Sequence, residues 1–336
     1  MKTIRWGMIG CGDVAEIKSG PGFYKARDSR LVAVMRRDGK LAADFARRHN
    51  VPRWHDDAEA IIRADDIDAV YIATLPDTHR DYTLRCAAAG KPVYVEKPMA
   101  LELAESVEMV DACKTSRVPL WVAYYRRALP RFTAVRDLVA DGAIGEVRMV
   151  SVRQLERAPT AMELRDRAFA WRTDALKGGG LFFEGVGHTL DILDFILGPI
   201  AETRAFAANQ ARAYAPEDAI VASFRFASGV YGAALWCYST DIQEEYNEII
   251  GSRGTIRIST TRATPIRVAR SGRVDEMPIG DPPHVQQPLI QSIVDELNGA
   301  GRCPSTGESA LRTARVQDAI VGEFRCRSSM AVAGRS

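Results

Sequence analysis

A glycine-rich turn close to the amino terminus constrains the fold more than any other feature of the sequence. An apolar run over residues 4–9 leads directly into a G-x-G-x-x-A pattern formed by Gly10, Gly12 and Ala15. Gly10 permits a tight turn, Gly12 lets a ligand approach the backbone, and the small Ala15 lets a helix pack closely on a strand. A turn with a structural role only is the alternative. Because the pattern follows a strand, it predicts a dinucleotide-binding domain whose cofactor contacts include Gly10, Gly12, Asp13 and Val14.

A second apolar run, residues 31–35, ends in a basic segment. At about this distance from the glycines, an NAD-specific domain presents an acidic side chain to the ribose hydroxyl, whereas an arginine suits the 2′-phosphate of NADP. Arg36 stands in the place of the acid, and a guanidinium can bind a phosphate through two N–H groups and stack on adenine. An exposed basic turn is the alternative. The sequence therefore predicts NADP(H) rather than NAD(H), bound by Arg36, Arg37 and Lys40.

The next buried strand is followed by a loop that carries further candidate contacts. Residues 69–74 form a continuous apolar run, which is typical of a strand covered on both faces. The run ends at Thr74, and Pro76 and His79 follow it, so all three residues stand at what would be the carboxyl end of the strand. We expect this loop to line the nicotinamide pocket, although a helix cap at Thr78 would explain it equally well.

A short strand over residues 93–95 ends in the sequence Glu96-Lys97-Pro98. In doubly wound folds, ligands bind in the crevice outside the carboxyl ends of the strands. The pattern thus places a cation at this edge of the sheet. Glu96 and Lys97 are added to the predicted cofactor contacts, and Lys97 is also predicted to contact the substrate.

The order of strands and helices changes once along the chain. Strands and helices alternate to about residue 125, which predicts a mainly parallel sheet in a domain of residues 1–125. Beyond it, long strands follow one another and predict an antiparallel sheet with helices on one side, in a domain of residues 126–330. The fold class is therefore α/β. The strands expected in the second domain are residues 147–155, 201–211, 219–226, 230–238, 246–250 and 255–259.

Composition excludes several classes of partner. The 336 residues include 45 Lys and Arg against 43 Asp and Glu, a net charge of +2 without a long block of like charge, so we expect no nucleic-acid partner. No apolar run reaches the length of a signal sequence or a membrane span, which predicts no membrane association. The six cysteines are scattered without a CxxC pair, as is usual for reduced thiols. Together these features predict a cytoplasmic protein.

Four separated motifs occur in one order along the chain, and together they resemble the glucose-fructose oxidoreductase, inositol dehydrogenase and MocA family. The resemblance covers nearly the whole chain. It implies a Rossmann domain joined to an α/β domain with a large open antiparallel sheet, whose exposed face mediates homodimer or homotetramer contacts. It also implies oxidation or reduction of a hydroxyl or carbonyl on a sugar, polyol or similar ring. The motifs are Gly10-Cys11-Gly12, Glu96-Lys97-Pro98, Gly178-Gly179-Gly180 and Gly187-His188-Thr189-Leu190-Asp191.

The resemblance also implies a catalytic group. In the family it consists of the lysine of the Glu-Lys-Pro motif and of an acid and a histidine after the glycine run, which are Lys97, Glu184 and His188 in this chain. The usual acid is an aspartate, and the additional methylene of Glu184 displaces the carboxylate by roughly one bond length, in a geometry that must hold to about 0.5 Å.

The residues themselves support proton transfer. A hydride that reaches a carbonyl leaves negative charge on oxygen, and Lys97 can stabilise that charge. Glu184 and His188 stand four residues apart, which on a helix places them on one face. His188 has an unperturbed pKa of about 6.5 and can move the proton, while Glu184 can orient the imidazole or raise its pKa. The alternatives are a structural pair and a metal site, although no third metal ligand stands at a recognisable spacing, and we expect no metal.

Several further residues are candidates for the substrate pocket. Asp191 follows His188 by one turn, where it would accept a substrate hydroxyl or support the imidazole. The loop of residues 156–177 is expected to shape the pocket. The other candidates, for which packing is the alternative role, are Tyr124, Arg126, Trp171 and Arg172.

The sequence therefore predicts an NADP(H)-dependent oxidoreductase that transfers a hydride to or from a small sugar-like or cyclic polyhydroxy substrate. A protein of another class remains open: a catalytically silent sensor that binds dinucleotide and a partner. The presence of Lys97 and His188 argues against a silent protein, whereas Glu184 in place of aspartate leaves room for it.

Overall fold

A computed structural model describes residues 1–174 and 179–333, with side chains for all of these except 167–168 and 327–333. Within these ranges, none of the helices combines the length and the apolar character that a membrane crossing requires.

The chain divides into two compact units. The first comprises Met1–Leu129 and Pro282–Leu311, and the second comprises Pro130–Asp281 and Arg312–Ser336. The sequence assigned every residue from 126 to 330 to the second domain, so residues 282–311 are the main difference from that prediction.

Strands and helices alternate in the amino-terminal part of the chain, and strands follow one another further on. In chain order, the strands are β1 (Ile4–Ile9), β2 (Ser29–Met35), β3 (Arg53–His55), β4 (Ala69–Ile72), β5 (Val93–Val95), β6 (Leu120–Val122), β7 (Val147–Leu155), β8 (Ile200–Ala208), β9 (Ala219–Phe226), β10 (Tyr231–Cys237), β11 (Glu244–Gly251), β12 (Thr255–Ile258), β13 (Ile266–Arg270) and β14 (Arg273–Met277). The helices are α1 (Gly20–Lys25), α2 (Gly39–Arg48), α3 (Glu59–Ile62), α4 (His79–Ala88), α5 (Leu103–Thr115), α6 (Pro130–Ala140), α7 (Ala161–Arg165), α8 (Arg167–Ala170), α9 (Leu181–Leu197), α10 (Gln287–Leu297) and α11 (Gly307–Ala333).

The first unit is built on a parallel sheet of six strands in the order β3-β2-β1-β4-β5-β6. All residues of β4 and β5 are buried, as is usual for parallel strands with helices on both faces. The strand order reverses between β1 and β4, and ligands bind at such a reversal, outside the carboxyl ends of the strands. The predicted doubly wound sheet is therefore confirmed.

Residues 282–311 belong to the first unit because their contacts lie there. Helix α10 buries Leu289, Ile290 and Ile293, and Ile290 packs so close to α1 that a Cβ atom at Gly22 would lie 2.6 Å from its side chain. The hydroxyl of Ser305 donates a hydrogen bond of 2.7 Å to the carbonyl of Val122 at the end of β6. The helix is amphipathic, but the sequence does not show which sheet its apolar side covers.

The second unit is built on a sheet of eight strands in the order β14-β13-β12-β11-β7-β10-β9-β8. Every neighbouring pair is antiparallel except β7 and β10, which are parallel. Buried and exposed residues alternate along β9 and β10, so one face of the sheet packs against helices and the other is open. The predicted open sheet is confirmed, with one parallel pair in place of a wholly antiparallel order.

The sequence missed β13 and β14, which form a hairpin at one edge of this sheet. Residues of β14 are mostly exposed, and the hairpin turns through Ser271 and Gly272, both with positive φ. Two ion pairs join β13 to β14, from Arg267 to Glu276 at 3.2 Å and from Arg270 to Asp275 at 3.6 Å. The exposed β14 lacks a buried apolar face, which is the signal that predicts a strand, whereas β13 does bury Ile266 and Val268 on either side of the exposed Arg267.

Candidate active site

The two glycines of the turn after β1 have different surroundings. Gly10 has a φ of +94°, and a Cβ atom there would lie 2.8 Å from the backbone of Ala73 and Thr74, so the carboxyl ends of β1 and β4 meet only because residue 10 lacks a side chain. At Gly12, a Cβ atom would meet nothing within 4 Å. The chain is helical from residue 13, and the first N–H groups of a helix have no carbonyl partner within it. The turn therefore fits a pyrophosphate beside Gly12, near the exposed Asp13 and Val14.

Arg36 lies beside this turn. It follows β2, is half-buried, and its guanidinium Nη1 donates to the carbonyl of Cys11 at 3.5 Å. Arg37 and Lys40 are exposed. The acidic residue of the same segment, Asp38, caps α2: its Oδ1 accepts hydrogen bonds from the N–H groups of the first helical residues at 3.0 and 3.3 Å. The first unit thus brings one arginine, Arg36, next to the glycines.

The loop after β4 is organised by a buried histidine. His79 is 0% exposed, with Nδ1 at 3.0 Å from the carbonyl of Pro98 and Nε2 at 3.1 Å from the carbonyl of Thr74. Burial lowers the pKa of His79, so the ring is neutral at pH 7 and donates one of these two bonds. The ring connects two loops rather than presenting a nitrogen to a cavity. Thr74 is half-buried and Pro76 is buried, and Thr78 bonds to Thr74 without capping α4.

The Glu-Lys-Pro motif lies at the carboxyl end of β5, as predicted. Lys97 is half-buried, and the Lys97–Pro98 peptide bond is cis. The carboxylate of Glu96, 7% exposed, accepts a hydrogen bond of 2.7 Å from the hydroxyl of Tyr71 and one of 2.6 Å from Nε2 of Gln286, both on Oε1. Its Oε2 accepts the backbone N–H of Lys97 at 3.1 Å. The sequence predicted Glu96 as a cofactor contact, and the structure engages both of its oxygens with groups of the protein.

Sequence reasoning missed Tyr71 and Gln286. Tyr71 stands in the middle of a continuous apolar run, where its hydroxyl gave no signal, and Gln286 is separated from Glu96 by 190 residues. Burial raises the pKa of Tyr71 well above its usual range, and the neighbouring Glu96 carboxylate adds to the shift, so the phenol keeps its proton and donates it.

Two predicted substrate residues of the first unit follow β6. The backbone of this segment continues alongside β5, since the N–H of Ala123 donates to the carbonyl of Val95 at 2.9 Å. Tyr124 is buried, whereas Arg126 is half-buried with its guanidinium 5.0 Å from the ring centre of Tyr125. Both residues therefore lie at the same sheet edge as Glu96 and Lys97.

In the second unit, α9 carries the predicted acid and histidine. Glu184 lies in the first turn and is half-buried, His188 is 7% exposed, and Asp191 is buried. The spacing of four residues lies within one helix, so Glu184 and His188 share a face as predicted. Asp191 faces α11, where it accepts a hydrogen bond of 3.4 Å from the hydroxyl of Thr313.

The segment before α9 brings Trp171 and Arg172 to the start of that helix. The N–H of Gly180 donates to the carbonyl of Arg172 at 2.6 Å, and that of Gly179 donates to the carbonyl of Asp174 at 2.9 Å. A Cβ atom at Gly179 would lie 2.5 Å from the carbonyl oxygen of Trp171, so a larger residue could not stand there. The described residues do not include Gly178 or residues 175–177 of the predicted pocket loop.

A buried phenol of the second unit was also missed. Tyr238 directly follows β10 and is buried, and its hydroxyl has no hydrogen-bond partner within the part of the chain that the structure describes. Burial raises the pKa of Tyr238 well above its usual range, with further contributions from carboxylates that include Glu156 and Glu184. Among the same residues, no group of three or more His, Cys, Asp and Glu side chains is arranged to hold a metal ion.

Comparison with protein families is decisive for both units. Residues 4–124 match the family model described as the oxidoreductase family with an NAD-binding Rossmann fold, and residues 132–257 match the GFO/IDH/MocA C-terminal domain. The chain belongs to the GFO/IDH/MocA oxidoreductase family. As a family member, it is an NAD(P)-dependent oxidoreductase with a Rossmann NAD(P)-binding domain, and the resemblance stated from the four motifs is confirmed.

Individual relatives extend over almost the whole chain. Oxidoreductase P35 of Formosa agariphila is 35% identical over 320 residues, which cover 95% of this chain and 98% of the relative. A 1,5-anhydro-D-fructose reductase of Ensifer adhaerens is 27% identical over 313 residues, which cover 91% of this chain and 92% of the reductase. The crystal structure of an aldose-aldose oxidoreductase from Caulobacter crescentus, complexed with glycerol, matches with a TM-score of 0.83 and 25% identity, over 96% of this chain and 98% of that one.

Proposed function

We propose that the protein transfers a hydride between NADP(H) and a hydroxyl or carbonyl carbon of a cyclic sugar, polyol or related small molecule. The observation that supports this most directly is the position of Lys97 at the carboxyl end of β5, at the same sheet edge as the glycine turn of the first unit. In a doubly wound sheet, this edge is where cofactor and substrate bind.

The preference for NADP(H) rests on Arg36. Its guanidinium lies beside the glycine turn, in contact with the carbonyl of Cys11, while Asp38 is engaged in capping α2. A guanidinium there can form two parallel hydrogen bonds with a 2′-phosphate, whereas a ribose hydroxyl would leave it without an anionic partner. We propose that the exposed Arg37 and Lys40 add positive charge around that phosphate.

When bound, NADP(H) supplies or accepts the hydride. In the direction of reduction, the carbonyl oxygen of the substrate becomes negatively charged as its carbon gains the hydride, and the ammonium group of Lys97 stabilises that charge. His188 gives the oxygen a proton in the same direction and removes it in the reverse direction. Glu184 holds the imidazole in the orientation and tautomer that this transfer requires, from one turn earlier on α9.

The proposed substrate contacts divide by their surroundings. Trp171 and Arg172 lie against the start of α9, the helix that carries Glu184 and His188, and this placement supports a role in substrate binding. Tyr124 and Arg126 lie at the sheet edge that carries Lys97, which supports a similar role. Asp191 is buried and accepts a hydrogen bond from Thr313. It is therefore better suited to support α9 than to accept a substrate hydroxyl directly.

The substrate class is proposed from the relatives. One is named for the reduction of 1,5-anhydro-D-fructose and another for the reaction of aldoses, so both are named for sugars. A pocket that binds such molecules needs several hydrogen-bonding groups, and the candidate residues supply an indole, two guanidinium groups and carboxylates. A sugar with a carbonyl or an oxidisable hydroxyl on the ring is therefore the first class to assay.

We further propose that the open face of the eight-stranded sheet joins copies of this chain into a homodimer or homotetramer. Phe206 of β8 is 85% exposed, and Val221 of β9 and Leu235 of β10 are also exposed on this face. Apolar side chains grouped on an exposed sheet are typical of an interface rather than of a solvated surface.

Titration with the two reduced cofactors tests the cofactor proposal. Nicotinamide fluorescence would be followed as NADPH or NADH is added to the wild type and to Arg36→Asp. We expect NADPH to bind more tightly to the wild type and to lose about tenfold to a hundredfold in affinity in the variant, because a charged hydrogen bond is replaced by repulsion. Arg30→Asp, at an exposed position within β2, is the matched control. Equal binding of NADH and NADPH by the wild type would overturn the preference for NADP(H).

A further inference from the structure

We propose that Gln286 is a positioning residue for Lys97 and acts through the carboxylate of Glu96. The inference rests on the role proposed above for Lys97. Gln286 immediately precedes α10, in the segment that returns to the first unit after residues 130–281 of the second unit.

A continuous set of hydrogen bonds joins the two residues. Nε2 of Gln286 donates to Oε1 of Glu96 at 2.6 Å, and Oε2 of the same carboxylate accepts the backbone N–H of Lys97 at 3.1 Å. The carboxylate is thus held on one oxygen by the amide and binds the backbone of Lys97 with the other. A shift of Gln286 is transmitted to the peptide that carries the Lys97 side chain.

The orientation of the amide follows from its other partner. The hydroxyl of Tyr94 donates to Oε1 of Gln286 at 2.7 Å, and burial keeps the pKa of that phenol well above its usual range. If the amide were rotated by half a turn, its oxygen would face the oxygen of Glu96, and neither atom has a proton to share. The contacts therefore fix the amide so that its N–H points at Glu96.

A residue with only a packing role would not have these properties. Gln286 is 1% exposed, and burial of an amide is unfavourable unless both of its ends are hydrogen-bonded. Apolar side chains would fill the same space without that penalty. The polar group at this position is explained by the carboxylate that it orients, and Glu96 in turn lies next to the lysine in the chain.

The backbone on the other side of Lys97 lies against a buried histidine. The carbonyl of Pro98 lies 3.0 Å from Nδ1 of His79, a ring that is wholly buried. The N–H of Lys97 is held by the Glu96 carboxylate, and the tautomer of His79 with its proton on Nδ1 also holds the carbonyl of Pro98, so the backbone that carries the Lys97 side chain has little freedom. Catalytic groups must be held within about 0.5 Å of their productive position, and a displacement of about 1 Å can cost a hundredfold in rate.

The test compares two neighbouring glutamines. Gln286→Met keeps the length of the side chain and removes the amide, and Gln287→Met makes the same change at the next residue, whose Nε2 makes one long contact of 3.4 Å with the carbonyl of Lys25. With a sugar substrate and NADPH, we expect kcat to fall about tenfold to a hundredfold in Gln286→Met and less than about twofold in Gln287→Met. The dissociation constant of NADPH, from fluorescence, should stay within about twofold in both.

A double variant distinguishes positioning from a general structural role. If Gln286 acts through Lys97, then Gln286→Met should cost little further activity in a Lys97→Met background, whereas independent effects would multiply. Multiplied effects would overturn the inference. An inactive Lys97→Met beside a fully active Gln286→Met would overturn this inference alone, and a fully active Lys97→Met would instead overturn the proposed role of Lys97.

A measurement without substrate completes the test. Lysines would be reductively methylated with ¹³C-formaldehyde, and the resonance of Lys97 would be identified by its loss in Lys97→Arg. We expect Gln286→Met to move this resonance towards those of exposed lysines and Gln287→Met to leave it in place. If Gln286→Met does not fold, Tyr71→Phe is the alternative variant, because it removes one donor to Glu96 and keeps the buried ring. We expect it to move the Lys97 resonance in the same direction by a smaller amount. An unmoved resonance in the folded variant would overturn the inference.

Discussion

The two units hold their proposed catalytic side chains in different ways. In the first unit, Lys97 follows a three-residue strand, and its neighbour Glu96 is held by side chains from β4 and from the residue before α10. In the second unit, Glu184 and His188 lie on one helix of 17 residues, where the helical repeat alone sets their spacing. The strand end depends on contacts from distant parts of the chain, and the helix depends on its own geometry. The same change in packing should therefore affect the two places differently.

The largest effect is expected at the strand end itself. Lys97→Met removes the cation that we propose to stabilise the developing oxyanion, and we expect kcat/KM to fall about 10³-fold while NADPH binding is largely retained. Lys114→Met is the matched control, because Lys114 is an exposed lysine of α5 that is 3.6 Å from Glu308. Steady-state kinetics with a sugar substrate measures both. Undiminished turnover in Lys97→Met would remove the lysine from the mechanism.

The carboxylate on the helix should matter less than the lysine. Glu184→Gln keeps the shape of the side chain and removes the charge that we propose to orient His188. Loss of a charged hydrogen bond should lower kcat about tenfold to a hundredfold. Glu184→Asp restores the acid that is usual in the family and should retain more activity than the amide. Glu202→Gln, at an exposed ion pair of β8, is the control. If the amide variant were as active as the wild type, Glu184 would have no part in the reaction.

A third change separates helix anchoring from helix geometry. The buried carboxylate of Asp194, on α9, accepts two hydrogen bonds of 2.8 and 2.7 Å from the guanidinium of Arg312 on α11. We expect Asp194→Asn to lower the free energy of unfolding by about 2 kcal/mol, because a pair of charge-assisted bonds is weakened. Since Glu184 and His188 keep their spacing, kcat should change by less than about twofold.

Urea unfolding and steady-state kinetics, measured on the same preparation of Asp194→Asn, give the two quantities. A loss of kcat as large as that of Glu184→Gln would contradict the contrast between the two units, because it would show that the helix pair also depends on remote contacts.

The smallest effect provides the baseline for these comparisons. Arg267 of β13 pairs with Glu276 of β14 at 3.2 Å, and both side chains are more than half exposed. Exposed ion pairs contribute little, so Arg267→Ala should change the free energy of unfolding by no more than about 0.5 kcal/mol and leave kcat unaltered. A shift in the urea midpoint as large as that of Asp194→Asn would mean that the edge hairpin is more important to the second unit than its exposure indicates.

Much of the first unit could be predicted because its signals are local. The apolar run, the two glycines and the arginine after β2 follow one another within 36 residues, and each has a direct physical reason. The i, i+4 spacing of Glu184 and His188 is equally local. Gly10 and Gly12 differ in the structure as their predicted roles require, since one closes a turn and the other faces open space.

The remainder could not be predicted because it depends on pairs of residues that are far apart in sequence. Gln286 has no local feature that connects it with Glu96, and the apolar side of α10 fits either sheet until the fold is known. His79 carries the residue type of a pocket histidine, yet its ring is buried between two backbone carbonyls. The parallel pairing of β7 with β10 is likewise a long-range property, which strand length and composition do not specify.

The late position of Gln286 has a consequence for synthesis on the ribosome. A nascent chain that has reached residue 129 contains all six strands of the parallel sheet, but it still lacks α10 and the amide that binds Glu96. More than 150 further residues must be translated before that carboxylate has its last donor. At about 5–20 residues per second, the carboxylate of Glu96 lacks this hydrogen bond for roughly eight to thirty seconds. In vivo, the site of the first unit is therefore completed only after residues 130–281 of the second unit have been translated.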